Sequence, residues 1–321
     1  MNETITITAA EYPWPYAWYW QGIALIKEIQ RIEHPVLTGI IRWITGMGSL
    51  WFYIPAVLLI LWCVDEKRGF RLGAALLVSL WANLFFKNLL KQPRPYTLDP
   101  SVGRAFESSY GMPSGHAQQS LVFWTALKAF RPWGALIITG IMGFTRLYLG
   151  VHFPADLLGG WLLGGLILAG AAWWRNTLEP RLAAGGTRAQ LLCAAAAALV
   201  MNAAETAIPV GGMFLGFCAG YSLMRRRRIE PFSWRTGKPG LPVLAARYLI
   251  GMTGAAALYQ GLAFLLPGPA SLFAGLPGWG AASPYAALSR FVQYGLLGLW
   301  ASCGAPRLFR ALGLPRSNHG E

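Results

Sequence analysis

Three short segments carry most of the chemistry this sequence offers: Lys87-x6-Arg94-Pro95, Pro113-Ser114-Gly115-His116 and Arg146-x5-His152-x3-Asp156. Together they supply three fixed cations, two histidines and one carboxylate. That combination can hold a phosphoryl group, attack it and protonate its leaving oxygen. The transition state of phosphoryl transfer spreads charge over three equatorial oxygens, and preorganised cations aimed at them lower the barrier. Arg94 and Arg146 can grip two oxygens each, and Lys87 adds a point charge. Gly115 permits close backbone approach, the helix beginning there offers N–H groups to an anion, and Ser114 adds a hydroxyl donor.

The nucleophile must be basic yet neutral near pH 7, which suits imidazole. His152 and Asp156 are i and i+4, so on a helix they share a face. The carboxylate can hold one ring N–H and aim the other nitrogen at phosphorus, the orienting logic of a triad. His116 is the second imidazole, placed to protonate the leaving oxygen and then to activate water. No Asp/Glu cluster fit for magnesium accompanies these groups, and three cations would repel a zinc ion at His152 and Asp156. The site therefore reads as metal-independent, with no cofactor.

These motifs need elements to position them, and the composition says which kind. Of the 321 residues 55% are hydrophobic and 12% charged, against roughly 25% charged in soluble domains. The chain reads as all-α and polytopic, because only helices and closed barrels satisfy the backbone inside lipid. Its apolar runs are too long and too unbroken for barrel strands. About nine spans of adequate length follow, near 48–64, 70–91, 115–130, 133–150, 154–174, 189–204, 208–224, 243–266 and 286–304. The fifth is glycine-rich (Gly159, Gly160, Gly164, Gly165), which favours close helix packing. Residues 12–30 read as an interfacial helix, and the polar stretch 1–15 does not read as a signal peptide.

Net charge is +14, but the cations flank helix ends rather than forming a nucleic-acid stripe. Assigning alternate span ends to opposite sides puts most of the 27 Lys and Arg residues on one face, including Arg175, Arg181, Arg188 and the Arg225–Arg228 run. The positive-inside rule makes that face cytoplasmic. The N-terminus then lies outside and the C-terminus inside, in a membrane read as a bacterial inner membrane. The same numbering puts the ends carrying Lys87, His116, Arg146 and His152 together on the outer side, a result the span count was not chosen to give.

Several groups read as background. Lys91 and Arg104 are snorkelling anchors, His34 and His319 surface residues, and the Trp clusters at 14–20 and 173–174 interface belts. Cys63, Cys193, Cys218 and Cys303 are free thiols in apolar runs. Glu205 stands open between an intramembrane functional role and an interfacial turn.

The three motifs resemble the signature of the type-2 phosphatidic acid phosphatase and haloperoxidase superfamily. Thr145 stands where that signature usually has Ser. The resemblance covers roughly residues 50–175 and implies a phosphohistidine on His152, with His116 as acid, Asp156 as orienter and Lys87, Arg94, Ser114, Gly115 and Arg146 as phosphate ligands. It divides the chain into an extracytoplasmic segment 1–47, a catalytic core 48–175 and three added C-terminal spans within 176–321. The layout is similar to the sphingosine-1-phosphate phosphatase and glucose-6-phosphatase branches. The expected function is hydrolysis of a lipid phosphate or diphosphate at the outer face. The alternatives are a phosphotransferase to a lipid or sugar acceptor, a sugar-phosphate phosphatase and a lipid transporter or flippase. Expected partners are the lipid phosphate substrate and membrane lipids; no nucleic acid is expected, and the sequence leaves oligomeric state open.

Overall fold

The computed structural model describes residues 16–127, 131–203, 208–226, 240–268 and 285–314. Among these residues the secondary structure is entirely helical. The elements are α1 Tyr16–Ile29, α2 Pro35–Gly46, α3 Leu50–Leu59, α4 Glu66–Leu90, the short α5 Pro95–Leu98, α6 Gly115–Leu127, α7 Pro132–Tyr148, α8 Pro154–Trp173, α9 Glu179–Ala184, α10 Gly186–Asn202, α11 Ile208–Arg226, α12 Leu241–Leu265, α13 Ala286–Leu299 and α14 Ala305–Ala311. Single π-helical turns extend α3, α8 and α13. Each apolar segment read from the sequence is occupied by a helix. Among the described residues three stretches, 66–98, 154–184 and 241–265, are long and apolar enough to cross a membrane alone, and the pair formed by α2 and α3–Val64, bent by 47°, gives a fourth if it is one broken span, against the about nine expected from apolar run length. Glu205, His319 and, of the Arg225–Arg228 run, Arg227 and Arg228 lie outside the described residues.

The chain divides into two compact units. One comprises the chain up to Tyr53 with Ala82–Ala169, and the other Ile54–Trp81 with Gly170 onward. All three motifs fall in the first. Its α1 is more than an interfacial helix: Ile23 and Ile26 are buried against Val102 and Phe153. Gln30 then donates to the carbonyls of Val102 and Tyr148, at 2.8 Å each. A second cluster packs Ile41 of α2 on Tyr148, Leu149 and Val151. The N-terminal segment thus props the turn between α7 and α8. Gly150 in that turn has φ +66°, and a Cβ there would stand 1.9 Å from the Val102 carbonyl, so the position accepts only glycine. Arg104 pairs with Glu33 through Nε and Nη2, at 2.6 and 2.7 Å, so it fastens a loop to the N-terminal segment rather than anchoring in lipid.

Helix α8 has two distinct faces. Gly160 and Gly164 lie against the carbonyls of Ser114, just before α6, and of Gln118 on α6; a Cβ at Gly160 would come within 2.6 Å of the Ser114 oxygen. The opposite face carries Leu158, Leu162 and Leu166, each about two thirds exposed. A contiguous leucine stripe open to water would be an aggregation surface, whereas in a bilayer it is simply the lipid-facing side.

In the second unit Trp62, Cys63, Phe217, Ala301, Ala305 and Phe309 form the core. The Trp62 indole donates to the Ala301 carbonyl at 2.8 Å, and Trp300 to Gly251 at 3.0 Å. Helices α11 and α13 meet through glycines: a Cβ on Gly216 would overlap the Gly295 carbonyl. Arg71 grips Glu179 with two hydrogen bonds of 3.0 and 2.7 Å.

The α6–α8 seam yields a direct expectation. Gly160→Val would push α8 off the Ser114 carbonyl, which is backbone and cannot rotate away. Overpacking of this kind costs about 1–3 kcal/mol, so the variant should melt at lower temperature in detergent, whereas Leu162→Val on the outer face should melt near the parent.

Candidate active site

The motif residues come from four helix ends that converge. Lys87 sits in the last turn of α4 and Arg94 on the strand-like step before α5, extended at φ −100° and ψ 156° as the following proline requires. Ser114 precedes α6, and Gly115 and His116 open it. Arg146 lies in the last turn of α7, while His152 precedes α8 and Asp156 occupies its first turn.

His152 Nδ1 is 3.1 Å from Asp156 Oδ2, and the same oxygen accepts from the Phe153 N–H at 2.9 Å. An ionised carboxylate only accepts, so Nδ1 carries the proton. On the far side of the ring Nε2 lies 3.3 Å from Arg94 Nη1. A guanidinium only donates, so Nε2 presents its lone pair. The imidazole is therefore fixed as the neutral tautomer whose nucleophilic nitrogen faces the cations. Asp156 also accepts from the Ser114 N–H through its backbone carbonyl at 2.9 Å, which locks the second motif to the third.

The cations are buried and satisfied largely by backbone carbonyls. Lys87 Nζ donates to Gly111 O at 3.1 Å and to Tyr110 O. Arg94 donates to Ser109 O at 2.6 Å, Val151 O at 2.8 Å and Tyr110 O at 3.1 Å. Arg146 donates to Thr45 Oγ1 at 2.7 Å. Among the phosphate-ligand candidates just described, two buried donors, Ser114 Oγ and Arg146 Nε, have no hydrogen-bond partner, and both are available to an anion.

Other residues at the site were not legible as such in the sequence. Glu107 bridges the guanidiniums of Arg94, at 2.9 Å, and Arg146. Gly111 is required for close approach, since a Cβ there would stand 2.6 Å from Pro93 O and 3.2 Å from Asp156 Oδ2. Asn83 donates to Pro113 O at 3.1 Å and to Gln118 Oε1 at 2.8 Å, and its side chain fills the space beside Gly115. A polar residue one turn before Lys87 in an apolar span was the available signal for Asn83. Thr45 and Gly48 carried none. Gly48 leaves room for His116 and Met142, whose atoms lie 2.7 and 2.6 Å from where its Cβ would be. The Thr145 hydroxyl donates to Met142 O at 2.7 Å, so it serves its own helix. Beside Met142 an apolar cleft of about 220 Å³ opens, lined by Ile44, Met47, Trp124, Ile138, Ile141 and Met142.

A sequence profile of the PAP2 superfamily matches residues 68–180, and a profile described as PAP2 superfamily phosphatase, transmembrane extension, matches 208–318. The chain belongs to the PAP2 superfamily of phosphatases. The second match falls within the C-terminal region, 176–321, expected to carry the additional spans. Among its PAP2 relatives is the undecaprenyl-diphosphatase of Sulfolobus acidocaldarius, 28% identical over 46% of this chain and 74% of that protein. Phosphatidylglycerophosphatase B of Bacillus subtilis is 27% identical over 45% of this chain and 78% of its own length. Sphingosine-1-phosphate phosphatase 2 of Mus musculus is 27% identical, over 46% of each chain. A PAP2 phosphatase whose apolar helices carry outward leucines is an integral membrane protein.

His152 lies between α7 and α8, and its pKa is lowered well below the ordinary 6.5, first by burial and then by Arg94, Arg146, Lys87 and His116. Both influences disfavour the imidazolium, so the lone pair survives as pH falls through 6.5 and is lost only further down. The acidic limb of kcat/KM belonging to this histidine should accordingly lie below pH 6.5, once the substrate's own phosphate ionisation is divided out. Lys87→Met should move it upward, towards the unperturbed value.

Proposed function

We propose that this protein hydrolyses a lipid phosphate or diphosphate through a phosphohistidine on His152. The observation that carries the reading is the orientation of the imidazole, pinned by Asp156 with Nε2 turned into a cluster of buried cations. Lys87, Arg94, Ser114, Gly115 and Arg146 hold the phosphoryl oxygens. The Nε2 lone pair attacks phosphorus, and the bond to the leaving oxygen breaks as His116, which takes up a proton once the bound phosphate offsets the surrounding cations, passes that proton to it. Water then attacks the phosphohistidine, losing its proton to His116, and the P–N bond breaks to release orthophosphate. Asp156 keeps the ring in one tautomer and stabilises the charge it gains. The chemistry in this reading needs no metal ion.

A lipid is favoured over a soluble sugar phosphate by the apolar cleft whose Met142 wall adjoins His116. A leaving group protonated by His116 would trail its hydrocarbon chain there. The names of the prokaryotic relatives point to prenyl diphosphates and phosphatidylglycerol phosphate, and that of the mouse relative to a sphingoid phosphate. All three classes share a terminal phosphate on an apolar chain. We place the site on the extracytoplasmic face of a chain with about nine spans, N-terminus outside and C-terminus inside, on the distribution of cations. In this reading residues 48–175 are the catalytic core, residues 1–47 precede it outside the cytoplasm, and 176–321 supply the additional spans.

Two experiments test this. Purified protein in detergent with chelator should release phosphate from a lipid-phosphate panel, be inhibited by vanadate, and lose activity by at least about 10³-fold in His152→Ala. Phosphate that appears on an added acceptor instead of in solution would make the protein a transferase. In cells, Ser101→Cys should react with an impermeant maleimide from outside and Arg225→Cys should not; the reverse pattern would invert the topology.

A further inference from the structure

Glu107 has no part in the chemistry above, yet it occupies the centre of the phosphate grip. Its two carboxylate oxygens are divided between Arg94 Nη2, at 2.9 Å, and Arg146 Nη2. Those are the two guanidiniums assigned to the phosphoryl oxygens. The placement is built rather than incidental. The Tyr96 hydroxyl donates to the Glu107 carbonyl at 2.7 Å and accepts from the Glu107 N–H at 3.2 Å, so a single side chain fixes the backbone on both sides. Tyr96 is itself braced edge-on by Phe106, with centroids 5.1 Å apart. The two arginine side chains are 2–3% exposed, whereas that of Glu107 is 28% exposed. The carboxylate therefore stands at the mouth and can swing outward while the arginines stay.

We propose that Glu107 is a resident anion that fills the two-arginine clamp when substrate is absent, and that it selects for terminal phosphates over phosphodiesters. This rests on the phosphatase reading. A bilayer presents the site with a great excess of phosphodiester headgroups, each carrying one negative charge. Such a group offers the arginines no more charge than the carboxylate already there, and the carboxylate is tethered, so its effective concentration is high. A phosphodiester also has only two unesterified oxygens. A terminal phosphate brings up to two charges and three free oxygens. It can engage both guanidiniums and also the unpartnered donors Ser114 Oγ and Arg146 Nε, which Glu107 leaves idle. The displaced carboxylate then turns to water, where a lone charge costs little. Glu107 is thus a specificity-determining residue that the substrate must displace.

The test uses the full chain in detergent, with lysophosphatidic acid as substrate, and compares the parent with Glu107→Gln and Glu107→Asp. Glutamine keeps the shape and removes the charge. KM and the inhibition constant of orthophosphate should both fall about tenfold, and phosphatidylglycerol, a phosphodiester that should barely inhibit the parent, should become a competitive inhibitor of the variant. Aspartate keeps the charge but is too short to bridge both arginines, so its constants should fall between the two. Glu107→Gln with unchanged or weaker orthophosphate binding would overturn the proposal, because Glu107 would then only be ordering the arginines. Calorimetric titration with orthophosphate reads the same comparison without turnover. Absence of hydrolysis in the parent would therefore sink the phosphatase reading while leaving the resident anion to be judged by binding.

Discussion

Three cations packed beside one buried imidazole repel one another, and at an effective dielectric of about 20 two unit charges at 4 Å interact by about 4 kcal/mol. The arrangement persists because each cation is hydrogen-bonded to protein oxygens, chiefly the carbonyls of Ser109, Tyr110, Gly111 and Val151. Those carbonyls need the 103–111 loop and the 149–153 turn to hold their shapes. The loop is held by Arg104 on Glu33 and by Tyr96 on Glu107. The turn is held by Gln30 and by the glycine at position 150. Even the N-terminal helices exist, in this sense, to keep like charges together.

The same field sets the reactivity of His152. A buried imidazole among cations stays neutral, and neutrality is what a nitrogen nucleophile needs. In the proposed reading, binding an anion removes part of the repulsion, so the imidazolium character that would develop at His152 during attack is tolerated only when substrate is present. The grip on phosphate and the activation of the nucleophile are therefore one electrostatic arrangement seen from two sides.

The sequence made the candidate site's side chains legible because their types are rare in an apolar chain: Lys87, Arg94, His116, Arg146, His152 and Asp156 stand out against leucine and alanine. Helix positions were legible through apolar run length, and the Gly160–Gly164 seam through its spacing. What escaped were contacts made at long sequence separation by ordinary residues. Thr45 reaches Arg146 across 101 positions, and Glu107 is one acid in a loop without periodicity. Residues 12–30 were read as lying on the membrane surface because their amphipathic pattern does not say whether lipid or protein covers the apolar side. Ile23 and Ile26 are in fact covered by protein.

The loop that surrounds Arg94 and Lys87 contacts them mostly with main-chain oxygens. A carbonyl is the same whichever residue bears it, so this part of the mould is written in chain length and curvature rather than in side-chain identity. Apart from Arg104, Glu107, Ser109 and Gly111, the segment can drift in composition while the cavity it casts stays fixed, provided that no residue is added or removed. A search for a fourth sequence motif between the first and second would therefore find little. What this stretch transmits is a spacing, and glycine at position 111 is where that spacing becomes tightest.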